Sequence, residues 1–532
     1  MDMSLDYTAL NSGLSKLTAA FLKNSTALKI AGAAAAFGVC LKLIHNYTRT
    51  PFPGPNVISV LRLPFLSPEK QVEWLTNIAN YYGKICSFRL FGTTVVLVSD
   101  MKIFREITKK RPKAYSRVQV PNLLGQVNVV FAEGDAWRVH RKIVSRPLID
   151  SNVDILLPMI CSVADKLVQH IRSLSNSNGV VSRWAPEEYL LHAASKIASA
   201  FYVGEADPGQ SKGTGISRRV AIIISPLRAL SFIRRELELG ISPIAVIISQ
   251  FPVLAKFHPK LRRYGTVLLE AFFLHQLFAD WEGQHGLKAS WQSIIENNLS
   301  KQSQNSRTQL PSILEHAGKE YDMEELMSTL HMFLGAGSDT VAGSLGTLLK
   351  YMCLNPGVQD RARAEALSLD RDPETTVELD KLIYLRACIL ESLRLNTLGP
   401  VLPVAALRDC EIDGRSIRAG TRIIIMFKKL QEDSYENGGE FRPERWLSED
   451  GKTVDLEKSR EFTGFGCGPR ACPGRHLAMK ELLIYLSRIL RNFKNMRLAE
   501  GSTAESKFIS LVVMHPQDLR ITMEVVFASN QA

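Results

Sequence analysis

The chain has 532 residues, 45% hydrophobic and 22% charged, which are the proportions of a packed globular protein with a sizeable core and not of a disordered or fibrous one. Eight cysteines spread over that length form no dense framework, which excludes a small disulfide-stapled scaffold and places the thiols in a reducing compartment. A formal charge of +12 suits an anionic membrane surface or an acidic protein partner; the sequence has neither zinc-finger spacing nor an aromatic-studded basic repeat, which argues against nucleic acid.

Residues 1–25 read as an N-terminal extension. Residues 26–46 follow, with an uncharged run from Ile30 to Leu41 between Lys29 and Lys42, whose stems can snorkel toward lipid head groups. With both lysines snorkelling, Leu28 to Ile44 reaches the roughly 17-residue lower limit of a transmembrane helix, so the segment is predicted to be a membrane anchor. An alanine-rich amphipathic or signal-like helix is the other reading. Basic residues on both sides leave its orientation open. Residues 47–56, ending in "PFPGPN", read as a stiff proline-rich hinge, and 57–532 as one domain without internal repeats.

Within that domain most segments are apolar at helical spacing. The stretch "TTVVLVSD" (93–100) reads instead as a strand, and "GDAWRVHRKIV" (134–144) sets Trp137 and Arg141 four apart beside Arg138, Lys142 and Arg146. Polar stretches at 173–179, 204–217 and 299–311 read as loops. The uncharged run from Leu239 to Ala255 is broken by Pro243 and Pro252, so it is expected to be a buried or membrane-dipping loop. A capping box of Asp322 and Glu325 opens one very long buried helix that ends at Asn355-Pro356. In its middle stands "GAGSDT" (335–340), where each glycine costs up to about 1 kcal/mol against alanine. Such a choice implies either close helix packing or an opening beside a ligand.

In "ACILESLRLN" (387–396), Glu391 and Arg394 are neighbours on one helical face and can pair. The same spacing recurs at Glu457 and Arg460, but only Glu391 has an apolar helical setting. Short strands are expected in "CEIDGRSIRAGTRIIIM" (410–426), around turns at Gly414 and Gly420. The fold class is therefore mainly α with a small β domain.

The stretch "FGCGPRACPGRH" (465–476) carries the chemistry. Cys467, Cys472 and His476 make a poor structural zinc site, because no fourth ligand follows at short spacing. Gly466-x-Gly468-x-x-Ala471 fits a relaxed dinucleotide fingerprint, but no buried strand precedes it and Pro469 sits inside the turn. A single thiolate on haem iron accounts for more of the residues. Gly468 and Gly474 let backbone approach a flat ring, Phe465 can pack on the ligand loop, and Arg470 can pair with a propionate. Cys472 precedes an apolar helical run, whose N-terminal dipole favours negative sulfur.

"FGCGPRACPG" resembles the F-x-x-G-x-R-x-C-x-G signature of the cytochrome P-450 superfamily, with Phe465, Gly468, Arg470, Cys472 and Gly474 at its five fixed places. The resemblance extends over residues 57–525 through three further segments. It implies that Ala336 and Gly337 leave room for dioxygen and that Asp339 and Thr340 relay protons, as in the family's A-G-x-D-T motif; Val341 replaces the frequent second hydroxyl. It implies that Trp137 and Arg141 bind a haem propionate, and that Glu391, Arg394 and Arg445 of "FRPERW" form a structural triad. The strand after the Glu391 helix departs from the pattern, with Pro403 or Val404 where a propionate-facing base is expected and Arg408 several residues late.

The resemblance further implies a cytochrome P-450-like fold behind an N-terminal anchor helix, haem b with an axial thiolate, and dioxygen as a substrate. It implies a separate NADPH-dependent flavoprotein reductase, docking on a basic face that includes Arg475 and Lys480, and a lipophilic terpenoid, steroid or polyketide-like substrate of secondary metabolism. Its pocket would include Phe333, Leu334, Val401, Leu402 and the loop "VQVPNLLGQVNVVF" (118–131). The endoplasmic reticulum, with the catalytic domain facing the cytosol, is the implied location. A haem-thiolate isomerase or dehydratase without a reductase, and a non-enzymatic haem sensor, are the alternatives.

Overall fold

The computed structural model describes residues 50–60, 62–63, 66, 68–90, 93–117, 129–130, 132–203, 323–503, 505–508, 514–516 and 518–527. The predicted anchor (26–46), the run from Leu239 to Ala255, and the loops at 204–217 and 299–311 lie outside the described residues. Phe52–Ala532 is one compact unit of the chain.

Its first half lays down a sheet and then helices. Helix α1 (Pro68–Tyr82) leads into strands β1 (Ile85–Leu90) and β2 (Thr93–Val98), an antiparallel hairpin in which Ile85 faces Val98. Gly54 crosses β1 so closely that a Cβ there would lie 1.7 Å from the Ser87 carbonyl oxygen. Helix α2 (Met101–Lys109), capped by Asp100 accepting from the Ile103 N–H, is followed by β3 (Tyr115–Arg117). Helices α3 (Gly134–Ser145) and α4 (Leu157–Ser173), strand β4 (Val180–Trp184) and helix α5 (Pro186–Val203) complete this half.

The second half opens with the expected long helix, α6 (Met323–Leu354), 32 residues long. Asp322 of the expected capping box lies outside the described residues. Then come α7 (Pro356–Leu367), α8 (Ile383–Leu395) and the strands β5 (Leu402–Ala406), β6 (Cys410–Ile412), β7 (Arg415–Ile417) and β8 (Arg422–Ile425). The β6–β7 turn uses Asp413 and Gly414, both at positive φ (48° and 70°), the geometry of a tight hairpin turn. Helix α9 (Phe427–Asp433) precedes the cysteine loop, and α10 (Arg475–Asn492) follows it. Strands β9 (Phe493–Leu498), β10 (Ser506–Phe508), β11 (Met514–Pro516) and β12 (Ile521–Val525) end the described chain.

The larger sheet has the order β1-β2-β8-β5-β3, so the N-terminal hairpin is completed by strands from beyond residue 400; β2 and β8 run parallel and the other pairs antiparallel. The main apolar core joins α3, α4, α5, α6, α8 and α10 and contains Trp137, Ile160, Phe201, Leu349 and Tyr485. Among the described residues no single helix is long and apolar enough to cross a membrane. One bent pair, α3 with Asp150–Ser173 at 51°, passes on length and composition, yet most of its apolar residues belong to this core.

Behind the core, Glu391 is fully buried and accepts from Arg394 Nε (2.8 Å) and Nη2 (2.9 Å), Arg445 Nε (2.8 Å), Trp446 Nε1 (2.9 Å) and the Arg442 N–H (3.0 Å). Arg394 spends its other donors on the carbonyls of Gln431, Gly438 and Glu440. The network ties α8 to α9 and to the segment before the cysteine loop. Glu457 and Arg460, at the same spacing, lie exposed on a short helix.

Candidate haem-thiolate active site

A cavity of about 360 Å³ lies between the middle of α6 and the loop that leads into α10. Two left-handed glycines, Gly466 (φ 73°) and Gly468 (φ 69°), fold that loop, and the Cys472 N–H donates to the Phe465 carbonyl (2.8 Å) to close it. Phe465, Cys472, Pro473 and Gly474 then face the cavity. Gly468 stands back from it: a Cβ there would meet the Thr108 methyl of α2 at 2.8 Å, so this glycine fits loop against helix. Cys467 also faces α2, where burial pushes its thiol up.

Cys472 is exposed and lines the cavity. Burial pushes its thiol up, while the Gly474 N–H at the start of α10 and the Arg141 and Arg475 guanidinia pull it down. Arg141 is held there by donating to the Ala471 carbonyl (2.7 Å). Ligation by a cation would tip this balance toward thiolate.

Cations gather on one rim. Arg470 donates to the Ala132 carbonyl (2.6 Å), pairs with Glu133 (2.8 Å) and lies 4.3 Å over the Trp137 ring. Burial lowers its pKa against the pull of Glu133. Glu133 also takes Arg111 (3.0 Å) and the Arg117 N–H (2.8 Å). Arg117, Trp137, Arg141 and Arg470 all line the cavity. Val404 is buried in β5 opposite Arg117 of β3, and Arg408 is exposed elsewhere, so the neighbouring strand brings the base that β5 lacks. Neither Arg117 nor Glu133 stands out in the sequence, because their positions depend on which strand pairs with β5.

On the opposite wall, Ala336, Gly337, Thr340 and Val341 line the cavity. Gly337 also serves helix packing, since its Cβ would touch Ala198 of α5 at 3.4 Å. The Thr340 hydroxyl donates to the Ala336 carbonyl (2.6 Å), leaving its oxygen as an acceptor beside the cavity. Asp339 is buried one residue away, at 3.2 Å from His515. Of the expected pocket residues, Phe333 lines the cavity, with Val129 and Val130 from the 118–131 loop; residues 118–128 and 131 lie outside the described residues. Leu334, Val401 and Leu402 pack in the cores, and Thr397, Leu398 and Gly399 take their place.

The Cytochrome P450 family model matches residues 49–523. The chain belongs to the cytochrome P450 family. It is 26% identical to xanthotoxin 5-hydroxylase of Arabidopsis thaliana over 84% of this chain and 87% of the relative. It is 24% identical to the steroid 17-alpha-hydroxylase/17,20 lyase of Bison bison over 92% and 95%, and 24% identical to methyltetrahydroprotoberberine 14-monooxygenase of Papaver somniferum over 79% and 80%. As a cytochrome P450 it is a haem monooxygenase with cysteine-thiolate ligation, taking dioxygen, a small-molecule substrate and electrons from a redox partner. The cavity fits such a group: one accessible thiol faces it, a cationic rim suits two carboxylates, and small residues form the far wall.

Proposed function

We propose that Cys472 is the haem ligand of this cytochrome P450, and that the enzyme hydroxylates or otherwise oxidises a lipophilic small molecule in a secondary-metabolite pathway. The observation that carries the reading is the Cys472 thiol at the start of α10, facing a cavity whose opposite wall presents Thr340. Haem, when bound there, supplies the redox chemistry that activates dioxygen, and thiolate donation favours O–O cleavage.

The chain's own residues bind, orient and move protons. Arg141, Arg470 and Trp137 would hold the propionates, and Phe465 and Gly474 would pack the ligand loop against the ring. Asp339 passes a proton to the Thr340 hydroxyl, which delivers one at the dioxygen side of the cavity. Phe333, Val129, Val130 and Leu398 keep that side apolar and exclude water. The relatives named above act, by their names, on xanthotoxin, a steroid and methyltetrahydroprotoberberine, which supports a lipophilic small molecule as the substrate class.

Electrons come from an NADPH-dependent flavoprotein reductase. Lys142 and Arg475 are exposed near the cysteine loop and suit an acidic partner. Lys480 does not join them, because it is buried against Asp150 (2.9 Å) and Asp154. Residues 26–46 anchor the enzyme to the endoplasmic reticulum, residues 47–56 join the anchor to the domain with Phe52 to Gly54 already docked on β1, and the catalytic domain faces the cytosol. The test is the absorption spectrum of the reduced, carbon-monoxide-bound protein. A strongly red-shifted Soret band that survives Cys467→Ala and vanishes in Cys472→Ala is expected; its persistence in Cys472→Ala would refute the ligand assignment.

A further inference from the structure

Strand β11 runs along α6, with the Met514 N–H donating to the Leu398 carbonyl (3.0 Å). Two glycines of α6, three residues apart, leave a furrow for it. A Cβ on Gly343 would lie 2.6 Å from His515 Nε2, and one on Gly346 would lie 3.6 Å from Pro516 Cγ. The imidazole of His515 enters this furrow, is 2% exposed, and brings Nε2 to 3.2 Å from Asp339 Oδ1. Both side chains are removed from water, so neither position is set by solvent. Thr340, the next residue, lines the cavity, while Asp339 lies outside it on the furrow side.

We infer that His515 is a positioning residue for Asp339, holding the carboxyl group on the furrow side of α6 and giving it a polar partner where water is excluded. A buried carboxylate without such a partner is costly to form. His515 therefore contributes to how readily Asp339 can serve Thr340. The inference rests on the assignment of Asp339 and Thr340 to proton delivery. Its sequence signal is a histidine 176 positions from its acid, which no local motif marks.

The experiment uses the full-length holoenzyme with reductase, NADPH and dioxygen, without organic substrate, and measures how the consumed NADPH divides between hydrogen peroxide and water. Asp339→Asn and Thr340→Ala are expected to raise the peroxide share at least two-fold. His515→Phe is expected to do the same, and His515→Gln, which keeps a polar group beside Asp339, to recover part of the wild-type share. The second readout involves no turnover: ring ¹⁵N shifts of His515 in the carbon-monoxide-bound ferrous protein at pH 7. Ring shifts that differ between wild type and Asp339→Asn, as contact between the imidazole and the carboxyl group requires, are expected. Raised peroxide in Asp339→Asn and Thr340→Ala, with wild-type behaviour in both His515 variants and an unchanged ring, would overturn the inference alone. No change in Asp339→Asn and Thr340→Ala would overturn the proton-delivery assignment itself, and the inference with it.

Discussion

Glu481 is a buried acid on the cavity wall. It is fully enclosed in α10, its Oε2 has no hydrogen-bond partner among the described residues, and burial alone pushes its carboxyl well above the usual range. The folded protein therefore keeps this proton while the unfolded chain gives it up above a pH of about 4.3. Stability is fully present below that value and falls as pH rises toward the folded-state pKa. Glu481→Gln keeps the shape without the ionisation. It is expected to raise the melting temperature of the holoenzyme by about 1–3 °C at pH 8 and to leave it unchanged near pH 4, as thermal unfolding at the two pH values would show. At this scale the sequence marks Cys472, because its neighbours define a loop and a helix start. Glu481 and Lys480 escape it: the helical run after Cys472 is legible, but the sequence puts Lys480 on a basic face, and only the folded chain shows the Asp150–Asp154 segment covering it.

The elements are locked by groups that local spacing alone only half identifies. Glu391 and Glu457 carry the same spacing, and only the apolar flanks of α8 separate the buried network from the exposed pair. Glu391→Ala leaves Arg394 buried without its carboxylate and is expected to cost about 3–5 kcal/mol, measured as loss of stability and of haem-loaded protein. Glycines in helices separate just as sharply. Gly357 in α7 has nothing within 4 Å of a built Cβ, so Gly357→Ala is expected to stabilise by up to about 1 kcal/mol. Gly343→Ala gains the same propensity but drives a methyl into His515, and a lower melting temperature is expected. Sequence reading finds the glycines of "GAGSDT" and not Gly343 or Gly346, because the furrow exists only once a three-residue strand has docked.

For the whole molecule, helix order and the small sheet are legible because periodicity and turn residues act locally. The pairing of β3 with β5, which brings Arg117 to the rim, is not, since it joins segments nearly 300 residues apart. The proposed division of labour between anchor and catalytic domain has a direct check: a chain beginning after residue 46 is expected in the soluble fraction with an unchanged carbon-monoxide Soret band. The same sheet has a consequence in time. Val95–Val98 of β2 must wait for Arg422–Ile425 of β8 before its outer edge is paired. At a synthesis rate of about 5–20 residues per second, the hairpin emerges with one apolar edge open for roughly 15–65 s. During that interval the nascent chain needs a chaperone or the membrane surface to shield that edge from other chains.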